Sequence, residues 1–439
     1  MPDWTDWAHW ADWRRWIPEP PARPADSTRG VHKRHLGDWR RVLPRTDTPV
    51  RTDTPVRIDT PVRTDTLFGA GPLVRLDAVR EARPGPSWTR IHDAIAPALH
   101  RWYAKEGLSA RPSLVTGRAA LTRYLPELVG VWERLVDLAD GDEMTARVLT
   151  MWDVPPFVTG CTQVAVAEPR PILVRNYDYD ARLLEGVVAS TNWSGSRPVI
   201  GTSDLLWGLL DGMNRDGLVV SLTWGGRRGH APGFAIPLVV RALLETCPDV
   251  PSAIARLRDI PVAQAYNLTL LDRSGTVRSV FVSPRSAPEV SHLAAVANHR
   301  LDTVEYPDSA RVLRSPQRQQ AATAASHSAR GRQDLVDAFL APPLYSTDYD
   351  AGFGTLYTAA YEPLSGTVTY HWPGQQPWVR HFDDPDDHRE VTLPARSGLY
   401  AGGAIEEVSG DRQVHRGARS TGSQGHRRTC HESRPCRLQ

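Results

Sequence analysis

The sequence predicts an α+β fold, because short alternating strands occur in pairs and helices with one apolar face lie between the pairs. Turns rich in Asx and Gly separate the strands of several pairs, as in β-hairpins. The chain has 439 residues, of which 41% are hydrophobic and 23% charged, and this composition is typical of a globular protein. A net charge of +2 gives no reason to expect a nucleic acid or an anionic membrane as partner.

The two ends of the chain lack the composition of a folded domain. Tryptophan recurs at every third position from Trp4 to Trp16, and the unit Arg-Thr-Asp-Thr-Pro-Val repeats from Arg45 onward. We therefore expect residues 1–66 to be disordered, with carbohydrate or membrane binding by the tryptophans as the alternative. Residues 386–439 are predicted to form a C-terminal extension that is disordered after about residue 409.

Residues 67–160 are predicted to form a helical segment. Apolar residues at spacings of three and four predict one helix over Trp88–Tyr103 and another over Leu121–Leu138. Such a segment is either a packing layer or a pro-segment that stays attached after the chain has been cut.

Residues 161–385 are predicted to hold the strand pairs and their helices. The strand pattern has period two, and the helical stretches are longer and have turn-spaced apolar residues. Strands are expected at 162–167, 171–176, 205–210, 218–222, 266–271, 276–282, 355–361 and 367–372, and helices at 234–245, 250–257 and 335–340.

The Gly160-Cys161 junction, directly before the first of these strands, is the candidate nucleophile. A cysteine that becomes a new N-terminus carries a thiol with an ordinary pKa of about 8.5 and an α-amine with one of about 7.7–8.0. Together they form a nucleophile and its base on one residue. The alternative is that Cys161 is a small buried hydrophobic residue.

Strand pairing gives this cysteine a partner. A two-residue hairpin loop at 169–170 would place Cys161 opposite Asp178, whose carboxylate could orient the amine. Arg175 would then point to the other face, unless the second strand contains a bulge or the loop is longer.

Neither a disulfide framework nor a metal site is expected. Four cysteines are too few for a disulfide-rich fold in so long a chain. The cluster of Cys430, His431 and Cys436 resembles zinc ligands only superficially, because its spacing is not that of a recognised zinc site. The first residues are too charged for a signal peptide, and no run of about eighteen apolar residues occurs, so we expect a cytoplasmic protein that does not bind a membrane.

Six motifs follow one another in a specific order. They are Gly-Cys-Thr, Arg-Asn-Tyr-Asp, Asp-Gly-Met-Asn-x-x-Gly-Leu, Arg-x-Leu-Leu-Glu-x-Cys, Ala-x-Ala-Asn-His and Thr-Leu-Tyr-Thr-Ala-x-Tyr. In this order they resemble the N-terminal-nucleophile hydrolases of the penicillin-maturing type, the acyl-CoA:6-aminopenicillanic acid acyltransferases. The likeness to bile-salt hydrolases, penicillin V acylases and acid ceramidase is more distant. The resemblance covers about residues 75–380.

The resemblance implies a four-layer αββα sandwich, preceded by the helical pro-segment, and a precursor that cuts itself between Gly160 and Cys161. The pro-segment would remain as a small subunit. The substrate would be a small acyl amide or acyl thioester, without a cofactor but with acyl-CoA as a candidate co-substrate. Water would make the protein a hydrolase, and an amine would make it an acyltransferase. The alternative is an uncleaved, non-catalytic protein of the same fold with a binding or structural role.

The resemblance also implies roles for individual residues. Cys161 would attack the acyl group, Arg175 would favour its thiolate, and Asp178 would orient the new amine. Asn298 is the first candidate for an oxyanion donor, because bile-salt hydrolases carry an asparagine at a matching place.

Four further candidates lie close together in the sequence. The backbone N–H near Thr223 is the second oxyanion candidate, although Leu-Thr-Trp stands here where bile-salt hydrolases have Leu-Asn-aromatic. This difference favours the acyltransferase branch. Trp224, Arg227 and Arg228 belong to a glycine-rich loop that is predicted to border the pocket, where the arginines either meet an anionic substrate or are simply solvated.

Overall fold

A computed structural model of the chain describes residues 71–395, apart from residues 228, 302, 303 and 305. The predicted disorder of residues 1–66 and of the tail, the cysteines at 430 and 436, and the candidate Arg228 lie outside the described residues. In the described part, the chain folds into two β-sheets and a set of helices, which confirms the predicted α+β class.

The N-terminal part of the described chain begins with a strand and continues with helices. These elements are β1 (Leu73–Glu81), α1 (Pro86–Tyr103), α2 (Leu114–Tyr124), α3 (Val129–Leu138) and α4 (Glu143–Leu149). Two of the helices begin at side-chain caps: Ser113 accepts the Thr116 N–H at 3.2 Å, and Asp142 accepts the Thr145 N–H at 2.7 Å.

The prediction of a single helix over Leu121–Leu138 is wrong. Pro126 lies inside this range, and the residue before it, Leu125, has an extended φ of −134°. Proline disfavours the helical conformation of the preceding residue. The α2 and α3 helices are therefore separate and joined by a short 3₁₀ turn at Pro126–Leu128.

The rest of the described chain alternates strands with helices. In chain order it contains β2 (Gly160–Val166), β3 (Ile172–Tyr179), β4 (Val187–Thr191), β5 (Val199–Asp204), β6 (Gly208–Asn214), β7 (Val219–Trp224), α5 (Ile236–Thr246), α6 (Val250–Leu257), β8 (Tyr266–Leu271), β9 (Val277–Val282), β10 (Glu289–Ser291), β11 (Ala295–Val296), α7 (Pro307–Val312), α8 (Ser315–Ser328), α9 (Arg332–Phe339), β12 (Thr347–Asp348), β13 (Phe353–Glu362), β14 (Thr367–His371), β15 (Trp378–His381) and β16 (Asp387–Thr392).

The strands form two sheets that pack face to face. Among the described residues, the first sheet has the order β10-β9-β8-β7-β6-β5-β4-β1-β16, and the second has the order β11-β2-β3-β13-β14-β15, with β12 beside β13. Strand β2 packs against β7 and β8, the α5 helix covers β6 and β7, and the α8 and α9 helices cover β2 and β3. The layers therefore follow the order αββα.

The first sheet joins the two ends of the described chain. Strand β1 pairs with β4 in parallel and with β16 in antiparallel orientation. The segment 67–160 is thus not helical throughout, and the predicted boundary at residue 385 cuts off β16 from its sheet. The signal for β1 is the alternation of buried Val74, Leu76 and Ala78 along the strand.

The strand predicted at 205–210 begins later than expected. Leu205 and Leu206 have φ values of 55° and 72°, so they form a left-handed turn between β5 and β6. The Glu185 carboxylate accepts the Leu206 N–H at 3.0 Å, which holds this turn in place. The apolar residues alone favour a strand here, but the contact with Glu185, which is distant in the chain, stabilises a turn instead.

Candidate active site

Cys161 lies on the strand face that points between the two sheets. Its side chain is fully buried. Gln163, two residues later on the same face, donates from Nε2 to the Ser221 carbonyl oxygen at 3.1 Å and to the Thr269 hydroxyl at 2.8 Å, both in the opposite sheet. Residues two apart on a strand share a face. The thiol is therefore enclosed in the interior of the sandwich.

The hairpin of β2 and β3 pairs one residue away from the predicted register. Val166 lies opposite Ile172, so the loop consists of residues 167–171. The prediction of a two-residue loop at 169–170 is therefore wrong, and the structure has the longer loop that was the alternative. A shift of one residue moves every side chain of a strand to the other face.

This register brings Arg175 to the thiol without a bulge in β2 or β3. Cys161 lies opposite Tyr177, and Asp178 lies opposite Gly160. Arg175 and Tyr177 are two residues apart and therefore share the face of Cys161. The predicted placement of Asp178 opposite Cys161 is wrong, and its side chain lies on the other face, towards the helices.

The guanidinium of Arg175 is fixed between the thiol and a buried carboxylate. Its Nη2 donates to Cys161 Sγ at 3.1 Å, and its Nη1 donates to the Leu210 carbonyl oxygen at 2.9 Å and to Asp211 Oδ2 at 2.5 Å. Both charged side chains are fully buried. Burial raises the pKa of the Cys161 thiol, and the positive charge of Arg175 opposes this rise. Arg175 is thus the strongest local stabiliser of the thiolate.

Asp178 occupies a polar site on the helix side of the hairpin. Its Oδ1 accepts the Thr355 hydroxyl at 2.6 Å, and its Oδ2 lies 3.4 Å from Arg318 Nη1. Burial raises the pKa of the Asp178 carboxyl, while Arg318 and Thr355 oppose the rise. The carboxylate is next to the Gly160-Cys161 junction through its pairing with Gly160.

Asn298 spans the Gly160-Cys161 junction. Its Oδ1 accepts the Cys161 N–H at 3.1 Å, and its Nδ2 donates to the Thr159 carbonyl oxygen at 3.2 Å and to the Trp224 carbonyl oxygen at 3.0 Å. One amide side chain therefore holds the backbone on both sides of Gly160. In this state its Nδ2 is occupied by the chain itself.

Arg318 is a site residue that no pattern in the sequence reveals. It lies on α8, is buried, and donates to the Cys161 carbonyl oxygen at 2.6 Å and to Asn298 Oδ1 at 2.6 Å. Burial lowers its pKa, and Asp178 and Cys161 oppose this change. The α8 helix is rich in alanine and polar residues and shows no apolar stripe, so neither the helix nor its buried arginine was visible in the sequence pattern.

A side chain at position 160 would be crowded by the neighbouring strand. A Cβ built on Gly160 would lie 3.2 Å from the Asp178 Cβ and 3.5 Å from a ring carbon of Phe353. The φ of Gly160 is not in the positive range. Glycine is therefore favoured here by the close approach of Asp178, and a left-handed backbone plays no part.

The remaining candidates lie around Asn298. The Thr223 hydroxyl donates to the Ala297 carbonyl oxygen at 2.9 Å, and Trp224 is buried and contacts Asn298 through its carbonyl oxygen. The guanidinium of Arg227 donates to the Val282 carbonyl oxygen at 3.3 Å, at the end of β9. The oxyanion role of the Thr223 backbone N–H and the substrate contacts of Trp224 and Arg227 stay predictions.

Comparison with known proteins identifies a family model that matches residues 166–377, described as acyl-coenzyme A:6-aminopenicillanic acid acyl-transferase. The matched range begins after Cys161 and includes Arg175, Asp178, Asn298 and Arg318. The chain resembles this type of N-terminal-nucleophile hydrolase, as the order of its motifs predicted, and the match supports an amide hydrolase or acyltransferase. The search of curated proteins gave no match.

The solved structures that match this chain are only distantly similar to it. A penicillin V acylase from Agrobacterium tumefaciens is 13% identical, with a TM-score of 0.35 over 50% of this chain and 84% of that one. An N-acylethanolamine-hydrolyzing acid amidase ortholog from Caenorhabditis elegans is 16% identical, with a TM-score of 0.36 over 50% and 99%. A mutant conjugated bile acid hydrolase from Clostridium perfringens is 11% identical, with a TM-score of 0.33 over 56% and 99%.

In the part of the chain that the structure describes, no helix combines the length and the apolar character needed to span a membrane.

Proposed function

We propose that this relative of the penicillin-maturing acyltransferases is a self-cleaving amide hydrolase or acyltransferase, cut between Gly160 and Cys161, with Cys161 as its nucleophile. The family match and the αββα layers support the class of activity. The observation that carries the proposal is the position of the thiol beside Arg175, at a junction that Asn298 holds on both sides.

The first step is the cleavage of the chain. Cys161 Sγ attacks the carbonyl carbon of Gly160, the bond from that carbon to the Cys161 nitrogen breaks, and the thiol proton ends on this nitrogen. Water then hydrolyses the thioester, which releases the Gly160 carboxylate and restores the thiol. Cys161 is now an N-terminal residue with a free α-amine next to its thiol.

Three buried groups assist these steps in different ways. Arg175 stabilises the thiolate, because its Nη2 lies 3.1 Å from Sγ. Arg318 fixes the strand by its bond to the Cys161 carbonyl oxygen. Asp178 lies opposite Gly160, the residue before the nitrogen that becomes the ammonium, and its carboxylate would orient and stabilise that charge after the cut.

Cleavage also makes room for a substrate. Phe157, upstream of the junction, packs against Tyr266 at 6.1 Å and against Trp102 at 6.2 Å between ring centroids. Once residues 157–160 move away, the aromatic surface that includes Tyr266 can accept an apolar acyl group. The bond from Asn298 Nδ2 to Thr159 is released at the same time, and this N–H can then stabilise the oxyanion of the substrate.

The substrate of the cleaved protein is a small acyl amide or acyl thioester. The acyl group passes to Cys161 as a thioester, and the amine or thiol leaves. Transfer to water gives hydrolysis, and transfer to a second amine gives an N-acylated product. A panel of acyl amides and acyl-CoA thioesters, each assayed with and without an added amine, distinguishes the two reactions by their products.

The N-terminal fragment remains part of the folded protein. Strand β1 lies between β4 and β16 and is hydrogen-bonded to both. Removing it would break two rows of backbone hydrogen bonds and detach β16. We therefore expect the fragment to persist as a small subunit after the cut.

Intact mass spectrometry of the denatured protein tests the cleavage. The wild type should give two fragments that divide between Gly160 and Cys161, and Cys161→Ala should give one uncut chain. Cys247→Ala is the matched control, because Cys247 is also a buried free cysteine and lies at the end of α5. A wild-type chain that stays intact, with the same fold as Cys161→Ala, would instead support the uncleaved binding protein.

A further inference from the structure

The mechanism described above gives no role to three residues of the ordered motifs. Asp211 begins the motif Asp-Gly-Met-Asn, and Tyr357 and Tyr361 belong to the motif Thr-Leu-Tyr-Thr-Ala-x-Tyr. They lie far apart in the sequence and on different sheets, in β6 and β13. The structure brings all three together behind Arg175.

Asp211 is surrounded by donors. Its Oδ2 accepts Arg175 Nη1 at 2.5 Å and the Tyr357 hydroxyl at 2.8 Å, and its Oδ1 accepts the Thr202 hydroxyl at 2.9 Å and the Tyr361 hydroxyl. The carboxylate is fully buried. A buried carboxylate keeps its charge only where such donors replace the water that it has lost.

The two tyrosines remain donors throughout the working pH range. Burial and the neighbouring Asp211 carboxylate raise the pKa of both hydroxyls well above the ordinary value. Tyr357 also packs on Tyr177, whose ring lies 5.2 Å from the Arg175 guanidinium carbon. The guanidinium is therefore restrained on its carboxylate side and on one of its flat faces.

We infer that Asp211, held by Thr202, Tyr357 and Tyr361, is a positioning residue that aims Arg175 at the nucleophilic thiol. Asp211 touches Arg175 Nη1, and Arg175 Nη2 touches Cys161 Sγ, so the two nitrogens of one rigid group link the carboxylate to the sulfur. The inference rests on the proposed role of Cys161 as the nucleophile. It adds that the charge which stabilises the thiolate depends on a carboxylate in the other sheet.

The two effects of Asp211 on the thiol have opposite signs, and this makes the inference testable. If Asp211 is needed for position, its loss lets Arg175 move away from the sulfur, and the pKa of the Cys161 thiol rises. If Arg175 stays in place without Asp211, the thiolate faces an uncompensated cation, and the pKa of the thiol falls.

The test is a titration of the Cys161 thiolate by its ultraviolet absorbance, measured as the difference between each protein and the same protein carrying Cys161→Ala. We expect Asp211→Asn to raise the midpoint by about one pH unit. Tyr361→Phe keeps the charge but removes one donor, so it should raise the midpoint less. In an Arg175→Ala background, Asp211→Asn should produce no further shift, because Asp211 acts only through Arg175.

Asp272→Asn is the matched control for a purely structural effect. Asp272 is also buried and accepts the Val250 N–H at 3.1 Å and the Ser274 hydroxyl at 2.5 Å, but it lies in the turn between β8 and β9. Its substitution should lower the melting temperature without moving the thiolate midpoint. If Asp211→Asn is poorly folded, the thiolate midpoint of Tyr361→Phe decides the test.

The inference is overturned if the midpoint falls or stays the same in both Asp211→Asn and Tyr361→Phe. It is also overturned if Asp211→Asn shifts the midpoint equally with and without Arg175. The titration needs no cleavage and no substrate. An uncut wild-type chain would therefore contradict the proposed function, but the titration could still be interpreted.

Discussion

The two faces of the β2–β3 hairpin carry different parts of the candidate site. The face between the sheets holds Cys161 and Arg175, and their charged partner Asp211 comes from the opposite sheet. The face towards the helices holds Asp178, which contacts Arg318 of α8. The difference shows that strand register decides which charged groups meet the thiol and which lie towards the helices. In the proposed mechanism, the first set activates the thiol and the second orients the new amine.

Replacing Arg175 should have the largest effect, because it removes the only cation in direct contact with the thiol among the described residues. Arg175→Ala should raise the thiol pKa and slow self-cleavage by up to about 10³-fold. The measurement is the rate at which fragments appear in freshly refolded protein.

Arg241→Ala controls for the cost of breaking a buried ion pair. Arg241 is also fully buried and contacts Glu245 at 2.6 Å, away from the hairpin. Either substitution leaves a buried carboxylate unpaired and should destabilise the fold by about 3–5 kcal/mol. Equal slowing of cleavage in the two variants would contradict a special role of Arg175.

Asp178→Asn should affect substrate turnover and self-cleavage to different extents. It should lower the turnover of a substrate from the acyl panel by up to about 10²-fold, because the amine that takes the thiol proton loses its partner. Cleavage should be affected less, since the amine does not exist before the cut. The matched control is Asp180→Asn, because Asp180 is buried nearby but accepts the Arg182 N–H in a turn. Equal losses in cleavage and turnover would show that the faces do not act separately.

The pH dependence of cleavage tests the face between the sheets. Burial raises the pKa of the Cys161 thiol, and the thiolate is the form that attacks. The rate should therefore increase about tenfold for each pH unit below that pKa and still be rising at about pH 8.5, the ordinary value for a thiol. A rate that does not change between about pH 6 and about pH 8 would contradict this prediction, because the thiolate would then already be formed at neutral pH.

Gly160→Ala should have the smallest effect, and it acts on the helix-side face. The added Cβ would lie 3.2 Å from the Asp178 Cβ, so the two strands must separate slightly. We expect a loss of about 1–3 kcal/mol in unfolding free energy and cleavage slowed several-fold. Gly130→Ala is the control, because a Cβ there meets no atom within 4 Å and alanine favours the α3 helix. If both variants lost the same unfolding free energy and cleavage rate, the close approach of Asp178 would not be the reason for glycine at position 160.

The sequence predicted the elements that have strong local patterns. The α1 helix and the strands β2, β3, β8 and β13 follow from periodicity, and the ordered motifs name residues that the structure brings together. Cys161 contacts both Arg175 and Asn298, although Asn298 is far away in the chain.

The rest depends on contacts that no local pattern encodes. The hairpin loop could close with two residues or with five, and only the longer loop places Arg175 beside the thiol. Arg318 is buried by the packing of α8 on β2, and β16 is a strand because β1 lies beside it. In each case the deciding partner is distant in sequence, so tertiary packing overrides local preference.

The central claim is that residue 161 becomes an N-terminal cysteine. The most direct measurement is labelling of the purified protein with a cyanobenzothiazole probe, which reacts with a thiol and an α-amine on the same residue, followed by peptide mapping. We expect label on the larger fragment at Cys161 and none in Cys161→Ala. An unlabelled wild-type protein that runs as a single uncut chain would contradict it.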